Sequence, residues 1–242
     1  GEKSISRLSD SMIVKDQFDP VLRKKIGTKK SVAVIPVGSI EQHGPHLPIS
    51  TDSDIISEIA SRLCKKCRFL LMPTITCGVS FEHSPFFNLS IRKSTLALVL
   101  EDLCISLSNN HIDRIIIVNG HHGNLDGLKI FEKNIKKKLK KTRISIFSYW
   151  HFLERDFDHA GFVETSIMLA ISNNVKMSSA KKGLITENLS KKELARINKI
   201  ALKSFPKATK NGVWGNPLTA TKRDGMKILS EIVRNLSKVC QT

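Results

Sequence analysis

Residues 31–52 read SVAVIPVGSIEQHGPHLPISTD, and this stretch decides the fold. Its first part, Ser31 to Val37, is short, apolar, β-branched and without helical periodicity, so it predicts a buried strand ending at Gly38. Glu41 and His43 stand at the exit of that strand. If the chain there stays extended, residues two apart share a face, so both side chains reach one ion while Gln42 points away. Pro45 and Pro48 stiffen the loop and bring Asp52 back towards the same place. Imidazole mixed with carboxylate suits a hard or borderline divalent ion. Taken alone, the segment also fits a polar loop with two incidental histidines.

Two further stretches repeat the arrangement. Arg114 to Val118 (RIIIV) predicts a second buried strand, and it runs into Asn119-Gly120-His121-His122-Gly123-Asn124. In an open parallel sheet, ligands gather outside the carboxyl ends of the strands, so the two histidine-bearing loops converge on one rim. Gly120 and Gly123 allow sharp turns and close approach to an ion. Arg143 to Tyr149 (RISIFSY) predicts a third strand, followed by Trp150 and His151 and then by Asp158, His159 and Glu164 as candidates. Glu164 also fits an ordinary helix-opening carboxylate. A solvated histidine loop is unremarkable once; after three strands a metal site explains the pattern better.

The rest of the chain alternates helical and strand signals. Helical character runs over Asp52 to Lys66, Ser94 to Asn110, Leu125 to Lys141, Glu164 to Ile171, Lys191 to Ser204 and Thr221 to Val239, with another strand at Phe69 to Thr76. This βαβ grammar predicts one α/β domain over residues 1–242, a three-layer α/β/α arrangement with a mainly parallel sheet. A length of 242 residues is enough to bury a substantial core in one unit. No apolar run approaches the ~18 residues of a membrane-spanning helix. The stretch GEKSISRLSD lacks the apolar region of a secretory signal. Five cysteines form no regular framework and favour a reducing compartment, so a cytoplasmic location is expected. Cys64-Lys65-Lys66-Cys67 is formally a CxxC, but without a second pair it reads as structural thiols.

The formal charge of +17 attracts polyanions. Much of it lies in KIFEKNIKKKLKKTR, Lys129 to Arg143, whose lysines crowd a helix end. That segment has no interleaved aromatics and fits no nucleic-acid reader, so a solvated helix face is the better reading and a basic nucleic-acid-binding protein the non-enzyme alternative. A basic surface also favours a phosphorylated small-molecule substrate.

The blocks PVGSIEQHGPHLPISTD, VNGHHGN, HAGFVETS, GVWGNP and TATKRDG occur in this order between Val34 and Gly225. Together they resemble the creatininase family of metal-dependent amidohydrolases, which includes creatinine amidohydrolase and formamide-cleaving deformylases. The resemblance implies a dinuclear centre of zinc, iron or manganese held by Glu41, His43, Asp52 and His121, with Asp52 bridging. Creatinine amidohydrolase takes a further glutamate two residues after the NGH histidine, where this chain has Gly123; Glu164 of the ETS block is then the fifth ligand expected. The stretch GVSFEHSPFFNLSI, Gly78 to Ile91, lacks the FPGT of creatinine amidohydrolase and is more similar to the archaeal-type formamidopyrimidine deformylases of flavin and deazaflavin biosynthesis. Creatinine amidohydrolase and a peptide-processing hydrolase are the alternatives within the family.

The expected reaction is hydrolysis of a formamide or related amide. Two ions ~3.5–4 Å apart acidify a shared water and polarise the amide oxygen. His159 is the expected acid for the leaving amine and Asp158 its orienting partner or substitute. Ser80, His83, His122, Asn124 and Trp150 are expected to form the pocket, Trp150 matching a tryptophan that lines the site in creatinine amidohydrolase. Relatives commonly form homo-oligomers, which is expected here.

Overall fold

The computed structural model describes residues 13–28 and 31–241; the N-terminal stretch read above for a secretory signal lies outside them. Four strands, β1 (Val32–Val37), β2 (Leu70–Leu71), β3 (Arg114–Asn119) and β4 (Arg143–Ser148), form one parallel sheet in the order β2-β1-β3-β4. Helices α1 (Asp19–Thr28), α2 (Thr51–Cys67), α3 (Lys93–Asn109), α4 (Leu125–Lys138), α5 (Phe162–Ile171), α6 (Lys191–Ala201), α7 (Phe205–Thr209) and α8 (Lys222–Cys240) complete the described chain.

β1 and β3 are buried on both faces, as their continuous apolar runs require. Alternation then divides their side chains between two cores. Val34, Ile116 and Val118 pack with α2, α5 and α8. Ala33, Ile35, Val37, Ile115 and Ile117 pack with α3 and α4 on the other side. The result is the three-layer α/β/α arrangement expected.

β2 is only two residues long where a strand from Phe69 to Thr76 was expected. Pro73 has no N–H to extend the ladder, and beyond it contact with β1 continues through the Ile75 N–H, which donates to Pro36 O at 2.9 Å. α4 stops at Lys138 rather than Lys141, and Leu139 turns back onto the core. The segment expected as one helix to Ser204 breaks at Ala201, and α7 restarts it with Pro206 in its first turn.

Strand order fixes where the site lies. From β1 the chain passes through α2 to β2 on one side, then crosses through α3 to β3 on the other. The loops leaving β1 and β3 therefore diverge and open a crevice at the carboxyl edge of the sheet. α5 is held beside this crevice by α8, which it approaches closely: a Cβ on Gly225 would collide with the Ser166 carbonyl and come within 3.0 Å of Ala170 Cβ.

Candidate metal centre

Four segments bring their acid and imidazole groups to that crevice. β1 exits into Glu41 and His43, the first turn of α2 carries Asp52, β3 exits into His121, and the first turn of α5 carries Glu164. All five are buried, with exposures between 0% and 5%. They form two triads with a shared corner: Glu41, Asp52 and His121 in one, His43, Asp52 and Glu164 in the other. Asp52 presents a different oxygen to each. Its Oδ1 lies 3.2 Å from His43 Nε2, and its Oδ2 lies 2.9 Å from His121 Nδ1. His121 Nε2 is 3.1 Å from Glu41 Oε2, and His43 Nε2 is 3.5 Å from Glu164 Oε2.

The sequence placed Glu41 and His43 at one ion because they share a face. Both do point inward, yet they fall in different two-ion triads; the cluster containing both takes His159 as its third member.

Protein hydrogen bonds leave part of this centre unsatisfied. Glu41 Oε1 and Asp52 Oδ2 are buried with no hydrogen-bond partner among the described residues. His83 Nε2 comes within 3.2 Å of Glu41 Oε1 and His121 Nδ1 within 2.9 Å of Asp52 Oδ2, but neither is in hydrogen-bond alignment. Orphaned buried carboxylate oxygens are costly unless a cation faces them, so the donor set fits divalent ions. Charge balance agrees. Burial pushes Glu41 up to about 7 and Glu164 up to about 8. Burial also opposes ionisation of Asp52, but His43 and His121 outweigh it and hold that carboxyl well below the usual range. Burial likewise opposes the His43 and His121 cations, and the facing carboxylates reverse it, raising both to about 10. A divalent ion at each triad would supply the positive charge that imidazolium protons otherwise provide.

A cavity of about 410 Å³ opens above the triads, lined in part by Glu82, His83, His122, Phe157, Asp158 and His159 and roofed from α6, α7 and the link between them by Asn198, Ala201, Leu202 and Phe205, with Trp214 also in its wall.

The family profile for creatinine amidohydrolase (creatininase) matches residues 20–240. The chain belongs to the creatininase family. A mycofactocin precursor peptide peptidase of Mycobacterium ulcerans (strain Agy99) is 32% identical over 83% of this chain and 80% of its own length. A 2-amino-5-formylamino-6-ribosylaminopyrimidin-4(3H)-one 5'-monophosphate deformylase of Methanothermus fervidus is 28% identical over 86% of this chain and 80% of its own. The solved structure of a manganese creatininase superposes with a TM-score of 0.78 at 20% identity, covering 95% of this chain and 97% of that one.

Within this creatininase-family site, Gly123 leaves no room for a side chain. A Cβ there would collide with the Val79 carbonyl and His121 Nε2 and lie 2.7 Å from Glu82 Oε1. Glu164 reaches the centre from α5. Its Oε2 accepts from the Ala160 N–H at 2.7 Å and its Oε1 from the Tyr149 hydroxyl at 3.4 Å. Ala160 adopts a left-handed φ of 53°, a strained conformation for a residue with a side chain.

His159 is fixed by its backbone, which pairs with Trp214 in both directions at 3.0 and 2.8 Å. Gln42, which the sequence reading pointed away from the ion, organises this side. Its side-chain amide nitrogen reaches His83 Nδ1 at 2.9 Å, His159 Nε2 at 3.2 Å and Gly212 O at 3.3 Å. His159 Nε2 also lies 3.2 Å from the Gln42 backbone carbonyl, and Nδ1, free of hydrogen bonds among the described residues, stands 4.0 Å from Glu41 Oε1. Burial, reinforced by His43 and His83, lowers the His159 imidazole well below its ordinary value. Asp158 does not orient it. The Asp158 carboxylate accepts from the Val163 and Glu164 amides at 2.9 and 3.4 Å, capping α5, and burial raises its carboxyl to about 6.

The remaining pocket expectations divide. His83 and His122 face the cavity. Trp150 lies behind its wall, stacked on His122 and Phe157 with ring centroids 5.9 and 5.2 Å away. Ser80 and Asn124 brace the loops beneath. The Ser80 and Ser39 hydroxyls share a hydrogen bond, and Ser39 donates to Glu41 Oε2 at 3.2 Å. Asn124 accepts from the Val79 N–H at 2.9 Å and donates to Gly38 O at 3.0 Å, so its polar atoms tie the β1 and β3 exits together. The CxxC thiols are free and Cys64 is buried. No helix among the described residues is long and apolar enough to cross a membrane.

Proposed function

We propose that this chain is a single-domain hydrolase that cleaves an amide C–N bond at a pair of divalent ions. The observation that carries the reading is Asp52, whose two oxygens face separate buried triads. Glu41, Asp52 and His121 would hold one ion; His43, Asp52 and Glu164 the other. Zinc, manganese and iron all suit these ligands. When bound, such a pair acidifies a shared water and polarises the scissile carbonyl.

The chain's own groups do the rest. The bare His159 Nδ1 accepts a proton from the attacking water and returns it to the leaving nitrogen, combining the roles of base and acid. Donation from His159 Nε2 to the Gln42 backbone carbonyl, 3.2 Å away, would set the tautomer for that transfer. Ala160 and Tyr149 hold the Glu164 carboxylate in place. Phe157, Leu202, Phe205 and Trp214 exclude water from the reacting amide and bind an apolar portion of the substrate.

The wall also favours one substrate class. It contains five carboxylates, Glu41, Asp52, Glu82, Asp158 and Glu164, and no lysine or arginine among the described residues. A phosphate would have no cationic side chain to meet it there. A peptide-like amide fits better, and the similarity to a precursor-peptide peptidase supports that direction. Deformylation of a formamide uses the same chemistry and is the second reading, supported by the similarity to the archaeal-type deformylase. The test is metal analysis paired with two screens, amine release from apolar peptide amides and formate release from pyrimidine formamides. Two ions per chain with hydrolysis in the peptide screen is the expected result. A protein that takes up no divalent ion, hydrolyses neither set and binds nucleic acid with steep salt dependence would overturn the reading in favour of the non-enzyme alternative.

A further inference from the structure

One wall carboxylate belongs to neither triad and meets no side chain closer than 4.0 Å in an ion pair. Glu82 lies in the single helical turn Phe81–His83, where Phe81 faces solvent and His83 is buried. Its side chain is 19% exposed and lines the cavity. The nearest imidazole nitrogen, His121 Nε2, is 4.0 Å away, too far for a hydrogen bond, and already meets the Val79 carbonyl at 2.9 Å and Glu41 Oε2 at 3.1 Å. Lys93, the neighbouring cation, is taken by Asp126 at 2.6 Å. Each triad has its three donors without Glu82. Asp158, the other wall carboxylate outside the triads, is occupied by the amides of α5.

Gly123 shapes the path to this group. Glu82 Oε1 leans over it so closely that a Cβ there would come within 2.7 Å, so a glycine keeps the carboxylate open towards the metal floor. The apolar surface of Ala201, Leu202 and Phe205 belongs to the same cavity. A ligand filling this space would therefore meet two ions at its scissile group, an apolar wall along its body and one carboxylate without a close ion-pair partner.

We infer that Glu82 is a specificity-determining residue, binding a cationic nitrogen group of the substrate, such as a free amino terminus or an amidinium-like side chain, attached to an apolar body. A charge-assisted hydrogen bond in a partly desolvated wall discriminates strongly against a neutral isostere, by about tenfold or more. This inference rests on the amidohydrolase reading for the position of the ions, and it concerns recognition alone.

The probes are benzamidine, a planar cation on an apolar ring, and benzamide, its neutral near-isostere. Both would be titrated calorimetrically into metal-loaded wild type, Glu82→Gln and Glu82→Asp, with the ions per chain counted on the same samples. Wild type should bind benzamidine at least tenfold more tightly than benzamide. Glu82→Gln should abolish that ratio while keeping the benzamide Kd and two ions, and Glu82→Asp should retain part of it. An unchanged ratio in Glu82→Gln overturns the assignment. So does loss of an ion from Glu82→Gln, which would make Glu82 a ligand. If wild type takes up no ions, the hydrolase reading fails, whereas two ions with equal binding of the two probes overturns the role of Glu82 alone.

Discussion

Gly123→Ala is a small substitution with a large expected effect, because the added methyl has nowhere to go. Its Cβ would lie 2.7 Å from Glu82 Oε1 and closer still to the Val79 carbonyl and His121 Nε2, against ~3.5 Å or more for comfortable contact. Glu82 can rotate away. Val79 O is backbone and accepts from His121 Nε2 at 2.9 Å, so retreat of either partner breaks that bond and turns the imidazole out of the Glu41–Asp52–His121 triad. Overpacking of this kind costs about 1–3 kcal/mol, and a protein of this size loses roughly 2–4 °C in Tm per kcal/mol. The variant should therefore melt roughly 2–12 °C lower when measured metal-free. Loaded and desalted, it should retain about one ion per chain, at the His43–Asp52–Glu164 triad. Two measurements suffice, a thermal melt in chelator and elemental analysis after reloading. A variant with wild-type Tm and two ions would show that the loop yields freely and that Gly123 does not hold His121 in place.

Asp52→Ala should lose more metal than any other single ligand change, since it removes a donor from both triads; elemental analysis showing two retained ions would refute the shared corner. Glu164→Gln should lose one ion and most activity with the fold intact by circular dichroism, and full occupancy with normal turnover would return Glu164 to a helix-start role. His159→Ala should keep its ions and substrate affinity while kcat falls by about 10²–10⁴, with less loss on substrates that have better leaving amines; loss of an ion would place His159 among the ligands, as its cluster with Glu41 and His43 allows. In chelated protein the carboxyls of Glu41 and Glu164 are raised from 4.5 to about 7 and about 8, so the stability they contribute is complete below 4.5 and is lost as pH rises through those values. Ions compete with the same protons. The fall in Tm on chelation should thus be larger at about pH 8 than at about pH 5, and an equal or reversed difference would count against metal at these groups.

The strands and the loops that gather acids and histidines at the crevice were legible because each is a local pattern. A continuous apolar run reports burial on both faces, and an acid or histidine just after it reports the carboxyl edge of the sheet. Glu41, Asp52, His121 and Glu164 all follow from that logic or from the family blocks. What escaped was anything decided between loops. Gln42 has the alternation of a residue pointing away, yet the loops bearing His83 and His159 fold round to meet it from 41 and 117 residues further on. Asn124 looked like a pocket residue because it follows His121, but its amide is spent on the carbonyl of Gly38 and the N–H of Val79. Glu82 carried no separate signal, since its isolation depends on what Gly123, Lys93 and Asp126 do elsewhere.

The arrangement of the triads also bears on how the chain folds and persists. Asp52 lies near Glu41 and His43 in sequence, but each triad is closed by a residue from a distant element, His121 after β3 or Glu164 in α5. Neither set of donors is complete before its distant element, β3 for one and α5 for the other, is in place, so an ion would select the native chain over the unfolded one. By mass action, an ion present at about 1,000 times its Kd deepens the native well by about 4 kcal/mol. That is a substantial share of the roughly 5–15 kcal/mol by which native domains are stable. Cellular metal supply would then set the lifetime of this protein as well as its turnover.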